Sequence, residues 1–321
     1  MTIALFVLKR LAGGLLILLV LSFLVFGLLS ISPGSPVQTL LGTRPASPEL
    51  IAALNSKYHL DAPFLSQYWH WLGGIVRLDF GQSISVQTDS PVSGIITARM
   101  GLSVELALYA FVLVVLTGVP LGMAAGIRRG TATDRGISLF ATVGVSAPAF
   151  VISIVLLYVF GVTLGWFPVY GAGTGFTDRL THLTLPALAL ATFLSAIVVR
   201  QTRAATLTVM RQDYITFARI RGLSPARVLL GYALRNSSLP VVTSAGMLII
   251  AALSASLFVE QVFSLPGVGT LLLTSVTDKD VPVVQAVALM LGAFVIVVNL
   301  LVDLLGLALD PRTRTTAKGG A

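Results

Sequence analysis

The amino-acid sequence predicts an all-α polytopic membrane protein with six transmembrane helices. Apolar residues make up 55% of the 321 residues and charged residues only 11%, whereas a soluble domain carries about 25% charged residues. Cysteine is absent, which excludes disulfides, thiolate catalysis and Cys-ligated metals. Six apolar segments have the length that a bilayer-spanning helix needs: Leu11–Ser30, Leu102–Ile127, Ile137–Leu164, Leu183–Val199, Val241–Phe258 and Val283–Leu305.

The first apolar segment could also be a secretory signal, because Lys9 and Arg10 precede it. Its apolar core exceeds the roughly 7–15 residues of a signal sequence. We therefore expect residues 1–31 to form a retained transmembrane anchor.

The distribution of basic residues predicts the orientation of the chain. Fifteen of the 21 lysines and arginines lie at the N-terminus, in alternate loops and in the C-terminal tail. Because basic residues near membrane spans favour the cytosol, both termini, the tail 312–321 and the arginine-rich loop 200–238 are predicted to be cytosolic. The basic residues lie at the ends of apolar segments and leave no soluble basic face, so nucleic-acid binding is not expected.

One long segment, residues 32–98, is predicted to lie outside the cytosol. Ser47, Pro48 and Glu49 predict a helix start, with the helix ending at about Tyr58, and a second helix is expected from Ala62 to Leu78. Two interpretations remain open for this pair. It is either an amphipathic pair at the lipid headgroups or a platform that meets a delivering protein, with Tyr68, Trp69 and Trp71 as contacts.

Residue patterns for catalysis are missing from the sequence. No lysine lies in a Gly-x-x-x-x-Gly-Lys-Ser/Thr motif, so no ATP site of that type is expected. Gly144-Val-Ser146-Ala resembles a serine-protease string, but His182 is predicted at the opposite membrane side from Ser146, too far to act as its base. The three histidines lack metal-ligand spacing. We expect no catalytic, cofactor-binding or metal-binding residue in this chain.

The arginine-rich loop carries seven arginines and one acid, Asp213. Helical spacing places Ile215, Ala218 and Gly222 along one side of a short helix, and Gly222 followed by Ser-Pro predicts its end. Such a helix can dock into a cleft of a partner. The alternative is a topology signal that binds anionic lipid headgroups.

The segment Thr216-Phe-Ala218-x-x-x-Gly222 resembles the EAA-x-x-x-G loop of ABC importer permeases, although Thr216 and Phe217 replace its first two residues. Further strings narrow the resemblance to the peptide/nickel permease family, first-permease type, over about residues 58–312. They are His59-Leu-Asp61-Ala-Pro63, Gln67-Tyr68-Trp-His-Trp71, Asp79-Phe-Gly81-Gln-Ser83, Asp89-Ser-Pro91-Val, Leu164-Gly-Trp166-Phe-Pro168, Glu260-Gln-Val-Phe263-Ser-Leu-Pro266-Gly267-Val-Gly269, Pro282-Val-Val-Gln285, Asn299-Leu-Leu-Val-Asp303-Leu and Leu309-Asp310-Pro311-Arg312.

This resemblance implies a type I ABC importer permease fold, with a five-helix core over residues 99–311, in a prokaryotic cytoplasmic membrane. It implies a homologous second permease, two cytosolic ATPase subunits or one fused pair that bind ATP and Mg²⁺, and an extracytoplasmic binding protein that delivers di- or oligopeptides. Nickel or glutathione remains an alternative cargo. A stand-alone carrier would show inverted repeats with a midplane ion site, and none is evident.

The resemblance and the residue patterns together nominate three sets of site residues. The expected ATPase-coupling set is Arg211, Asp213, Tyr214, Thr216, Phe217, Ala218, Arg219, Arg221, Gly222 and Leu223. Candidates for the pathway, or for helix packing instead, are Thr243, Ser244, Ser254, Ser256, Asn299 and Asp303. Candidates for a binding-protein contact or an outer gate are Tyr68, Trp69, Trp71, Glu260, Pro266 and Gly267, the last three at a kinked turn after the fifth span.

Small residues recur on the spans. Gly118, Gly122 and Gly126 repeat at every fourth position, and Ala245, Ala251 and Ala255 lie on the fifth span. Small side chains allow helix backbones to approach closely in lipid. We therefore expect close helix contacts at these positions.

Overall fold

The computed structural model describes residues 3–31, 47–48, 62–234 and 239–309, which are helical apart from turns and one isolated bridge between Gln82 and Pro91. The helices are α1 (Ile3–Ile31), α2 (Phe64–Val76), α3 (Val92–Ile127), α4 (Ala132–Ser146), α5 (Ala149–Leu156), α6 (Phe176–Val209), α7 (Asp213–Ile220), α8 (Pro225–Val228), α9 (Leu239–Val262), α10 (Val268–Thr277) and α11 (Val281–Leu309). Turns of π-helix, Leu157–Thr163 and Leu229–Leu234, continue α5 and α8.

Five of the six predicted spans are confirmed as single apolar helices. Within the described residues α1, α3, α6, α9 and α11 are long and apolar enough to cross a bilayer. Helices α3 and α6 extend beyond the predicted bounds, since α3 begins at Val92 and α6 runs from Phe176 to Val209.

The sixth predicted span, Ile137–Leu164, is a bent pair of helices and not one continuous helix. This region consists of α4 and of α5 with its π-helical turns, bent by 105° at a short break. Ala147 is extended (φ −89°, ψ 120°) and is followed by Pro148. A proline ring disfavours the helical conformation in the residue before it and supplies no N–H, so the helix ends at Ser146. The Ala-Pro pair is the sequence signal for this bend.

The described chain forms two compact units, residues 1–101 with 267–321 and residues 102–266. In the first unit α1 packs along α11. The approach is close, since a Cβ on Gly14 would lie 2.6 Å from the Ile296 side chain and one on Gly292 would lie 2.5 Å from Leu21. A second buried group joins the first turns of α3 to α10 and α11: Val92, Ile95, Ile96, Val268, Leu271, Val283, Ala286 and Val287.

In the second unit α6 lies at the centre and packs on α4, α5 and α9. It also lies against α3, where a Cβ added to Gly118, Gly122 or Gly126 would come within 2.9 Å of Val198, Thr202 or Thr206 respectively. The expected close contact of these three glycines is confirmed. The α3–α6 contact is called the glycine seam below.

The two helices expected in the segment 32–98 have different outcomes. Most of the first, from Ser47 to about Tyr58, falls outside the described residues. The second, predicted from Ala62 to Leu78, is confirmed as α2, which begins two residues later and ends two residues earlier.

Candidate functional site

The arginine-rich segment folds as a short helix directly after α6. Helix α6 ends at Val209, and a tight turn follows in which the Gln212 amide donates to the Val209 carbonyl at 3.0 Å. Helix α7 then runs from Asp213 to Ile220. Asp213 lies in its first turn and Arg219 in its last. Each charge is opposite in sign to the helix-dipole charge at its end of the helix and so stabilises α7.

Helix α7 buries one side and exposes the other. Ile215 and Ala218, the pair that helical spacing assigns to one side, are buried in a cluster with Val119 and Met123 of α3 and Val209 of α6. On the opposite side three apolar side chains at every third position are exposed: Tyr214 by 40%, Phe217 by 63% and Ile220 by 74%. We call these three residues the exposed stripe.

The other expected coupling residues surround the stripe. Arg211, Asp213, Thr216, Arg219 and Arg221 are exposed, and Leu223 is half-buried against the cluster that holds Ile215. The structure therefore gathers the whole predicted coupling set on one short helix and its two flanking turns.

Gly222 ends α7 in the way that the sequence predicts. Its φ of +73° lies in the left-handed region, where a side chain is disfavoured. The Gly222 amide donates to the Arg219 carbonyl at 2.9 Å, and the Leu223 amide donates to the Ala218 carbonyl at 3.2 Å. This pair of bonds is the Schellman motif, which fixes where the helix stops and where the chain turns.

Replacing Gly222 with alanine is expected to destabilise the end of α7 by about 1 kcal/mol, because the left-handed conformation disfavours a Cβ. Gly136→Ala is the matched control: neither glycine has an atom within 4 Å of an added Cβ, but only Gly222 has a positive φ. Hydrogen exchange of the α7 amides measures the effect. Equal exchange in both variants would contradict the strain argument.

An ion pair that the sequence did not reveal joins α4 to α6. Arg203 donates from Nε to Asp134 Oδ1 at 2.6 Å and from Nη2 to Oδ2 at 2.9 Å. The Gly130 amide adds a third bond to Oδ2 at 2.9 Å. Bidentate geometry with further donors makes this one of the stronger kinds of ion pair. Asp134 is the only acid in the basic loop 128–136, which is the signal that could have found it.

The polar residues of α9 bond mostly within the chain. The Ser254 hydroxyl donates to the Ile250 carbonyl at 3.0 Å, and that of Ser256 to the Leu253 carbonyl at 2.8 Å. Ser244 is half-buried and Thr243 lies within α9. Both hydroxyls thus bond within α9, and whether Ser254 and Ser256 belong to a pathway or to helix packing stays a prediction.

Glu260 is fully buried in the second unit. Its Oε1 accepts a hydrogen bond from Ser103 Oγ at 2.6 Å and another from Ser256 Oγ at 3.2 Å. The carboxylate therefore joins α3 to α9 in this chain, and its expected role at an outer surface stays a prediction.

The kinked turn after the fifth span is present. Helix α9 ends at Val262, and the Leu265 amide donates back to the Glu260 carbonyl at 2.8 Å while Ser264 adopts a φ of +50°. Pro266 follows, and Gly267 is the N-cap of the short apolar helix α10.

Asp303 pairs with a residue that the sequence did not nominate. The Nε of Arg10, near the start of α1, lies 2.9 Å from Asp303 Oδ2, and its Nη2 donates to Oδ1 at 3.1 Å. Asn299, one turn before Asp303, is exposed.

A second buried carboxylate lies where α10 leads into α11. Asp280 is fully buried, and its Oδ2 accepts a hydrogen bond from the Ser83 hydroxyl at 2.5 Å. Three consecutive backbone amides, those of Ile84, Ser85 and Val86, donate to the same oxygen at 2.9–3.0 Å. Asp280 thereby ties the segment before α3 to the start of α11. In the sequence nothing sets this aspartate apart from exposed Asp278.

The aromatic residues of α2 divide between buried and exposed positions. Tyr68 is buried against α1 and Trp71 is half-buried, whereas Trp69 is exposed. Among the described residues no group of three or more His, Asp or Glu side chains could hold a metal ion.

Comparisons with known proteins show the class that this fold belongs to. A crystal structure of an amino acid ABC transporter with histidines matches 66% of this chain and 93% of its own, with a TM-score of 0.51 at 17% identity. That likeness concerns the fold, which is the type I ABC importer permease fold expected from the sequence.

The chain belongs to the family of binding-protein-dependent transport system inner membrane components, which matches residues 118–315, and the N-terminal region of that family matches residues 3–107. A putative peptide permease protein of Brucella ovis is 38% identical over 315 residues, covering 96% of this chain and 98% of its own. A glutathione transport system permease protein of Salmonella choleraesuis is 36% identical over 309 residues, covering 96% of this chain and 98% of its own. The protein is a multi-pass membrane component of a transporter.

Proposed function

We propose that this chain is the transmembrane permease subunit of an ATP-driven importer for di- or oligopeptides. It would form the pathway with a homologous second permease and receive cargo from an extracytoplasmic binding protein. Two cytosolic ATPase subunits, or one fused pair, would bind ATP and Mg²⁺ and supply the energy. Both termini and α7 would face the cytosol of a prokaryotic cell, in line with the basic-residue bias.

The exposed stripe on α7 is the observation that carries this proposal. Tyr214, Phe217 and Ile220 form an apolar surface on a helix that also carries Asp213, Arg219 and Arg221 at its ends. An apolar anchor of this kind with a charged rim is typical of a protein–protein contact. The alternative is that the arginines bind anionic lipid headgroups, and co-purification of the ATPase, described below, distinguishes the two.

The buried side of α7 supports a route by which partner motion reaches the membrane. Ile215 and Ala218 share one packed cluster with residues of α3, α6 and α9. Because close-packed side chains transmit displacement rather than absorb it, a movement imposed on α7 moves the inner ends of these spans with it.

Replacing Phe217 with aspartate tests the proposal. The variant is expected to insert in the membrane but to lose the co-purifying ATPase, with at least about a 30-fold drop in peptide uptake, because a buried unpaired carboxylate in an interface costs about 2 kcal/mol or more. Arg135→Asp, an exposed position on α4, introduces the same side chain as a control. Retained ATPase binding and uptake in Phe217→Asp would contradict the docking role.

The cargo class needs a separate measurement, because relatives of both kinds are about equally similar. We favour linear di- or oligopeptides, and glutathione, itself a modified tripeptide, is the second candidate from the 36% identical relative. Uptake of a labelled dipeptide into vesicles that contain the assembled importer should be reduced by excess unlabelled dipeptide. Saturable uptake of labelled glutathione without saturable uptake of the dipeptide would assign the second candidate.

A further inference from the structure

Helix α2 has three distinct sides along its 13 residues. Phe64, Tyr68 and Trp71 face α1, and a second apolar side carries Leu65, Trp69, Leu72 and Val76, at spacings of one to two helical turns. Leu65, Trp69 and Val76 are exposed by 60%, 63% and 78%. We call this second side the outer strip. The third side, opposite both apolar ones, carries Ser66, His70 and Gly73.

The contact between α2 and α1 is extensive and aromatic. The rings of Phe64 and Tyr68 lie with centroids 5.8 and 5.4 Å from Phe23, and the Trp71 ring lies 5.2 Å from Phe26. The Tyr68 hydroxyl and the buried Ser22 hydroxyl are 2.8 Å apart in a hydrogen bond. The position of α2 relative to α1 is therefore fixed.

The depth of that contact places α2 within the apolar layer. Ser22, Phe23 and Phe26 all lie inside the apolar span Leu5–Gly27 of α1. At about 1.5 Å per residue, Ser22 lies about 8 Å below the end of that span. This is about half of one leaflet, because the hydrocarbon core is about 30 Å thick.

The composition of α2 suits that depth. The helix Phe64–Val76 contains no Asp, Glu, Lys or Arg, and Arg77 is the first charge after it. The Gln67 side chain bonds locally to the Ala62 carbonyl at 2.9 Å, as a polar group near hydrocarbon requires. With 13 residues α2 is about 20 Å long, too short to span a bilayer.

We propose that α2 is an interfacial helix half-immersed in one leaflet, and that its outer strip binds lipid acyl chains. Val20 and Leu24 of α1 are also more than half exposed, so both helices of this pair present apolar surface. The polar side with Ser66, His70 and Gly73 then faces the headgroups and water. Trp69 is on this basis a lipid anchor rather than a contact of the binding protein.

Site-directed spin labelling tests this assignment, and the absence of cysteine means that each single-cysteine variant needs no other change. Leu65→Cys and Val76→Cys report on the outer strip, while His70→Cys and Gly73→Cys, exposed on the polar side of the same helix, are matched controls. Labelled variants are measured in lipid vesicles with the assembled importer. Oxygen, which partitions into lipid, and a water-soluble nickel chelate relax the label from the two phases.

The ratio of oxygen to nickel-chelate accessibility is expected to be at least about threefold higher on the outer strip than at the controls. Equal ratios at all four positions would overturn the proposal. A strip that becomes inaccessible to both reagents only when the binding protein is added would also overturn it, and would assign the strip to protein docking.

A second measurement covers the event that a cysteine variant fails to fold. In Trp71→Phe/Trp166→Phe, Trp69 is the remaining tryptophan, and brominated phospholipids should quench its fluorescence while acrylamide does not. Strong acrylamide quenching would overturn the proposal.

Discussion

Replacing Asp134 with alanine is expected to lower the free energy of unfolding by about 3 kcal/mol, because it leaves the Arg203 guanidinium unpaired. This figure is at the lower end for buried pairs, since the Arg203 side chain is 31% exposed although that of Asp134 is only 6% exposed. The Gly130 amide loses its acceptor as well. Reversible denaturant unfolding in detergent micelles measures the change.

Two further variants show whether the pair itself is responsible. Arg203→Ala should have a similar effect, and the double variant should lose less than the sum, because two removed partners leave no unpaired charge. Glu105→Ala is the matched control: its partner Arg179 is 3.3 Å away, but both side chains are more than 40% exposed, so the loss should be below about 1 kcal/mol. Additive single effects would contradict a direct interaction.

Replacing Asp280 with alanine is expected to cost at least about 4 kcal/mol, because the variant leaves a hydroxyl and three backbone amides without their acceptor. The amides of Ile84, Ser85 and Val86 cannot rearrange independently, since they are consecutive in one turn. The expected result is therefore loss of the folded segment that precedes α3, measured as protease cleavage near residues 83–87.

A graded series separates the carboxylate from its surroundings. Asp280→Asn keeps an acceptor oxygen and should lose less than alanine, while Ser83→Ala removes one of the four bonds and should cost about 1–2 kcal/mol. Asp278→Ala, two residues earlier and exposed, should change stability by less than about 0.5 kcal/mol. If Asp278→Ala had the larger effect, the bonds to Asp280 would not be what holds this segment.

The parts of the molecule that sequence reasoning predicted are those coded by neighbouring residues. Apolar runs identify α1, α3, α6, α9 and α11 because helix length and bilayer thickness match. Gly222 predicts the end of α7 because the requirement for a positive φ is local. The bend at Pro148 was equally local and was missed, since an apolar run hides the Ala-Pro pair within it.

The missing parts depend on distant residues. Arg203 and Asp134 are 69 positions apart, and Ser83 and Asp280 are 197 apart. No periodicity or motif connects such pairs, because the fold alone brings them together. The same holds for Tyr68, whose burial depends on Ser22 and the rings of α1. Which of the nominated residues contact cargo or partners stays a prediction.

The glycine seam has a consequence for measuring motion in this protein. A single added carbon atom at Gly122 would already lie 2.6 Å from Thr202, so α3 and α6 have no free space in which to slide or separate without breaking the packing. Probes attached to these two helices should keep a constant separation throughout a transport cycle. The pair α3 and α6 can therefore serve as a fixed reference from which the displacement of every other helix is measured.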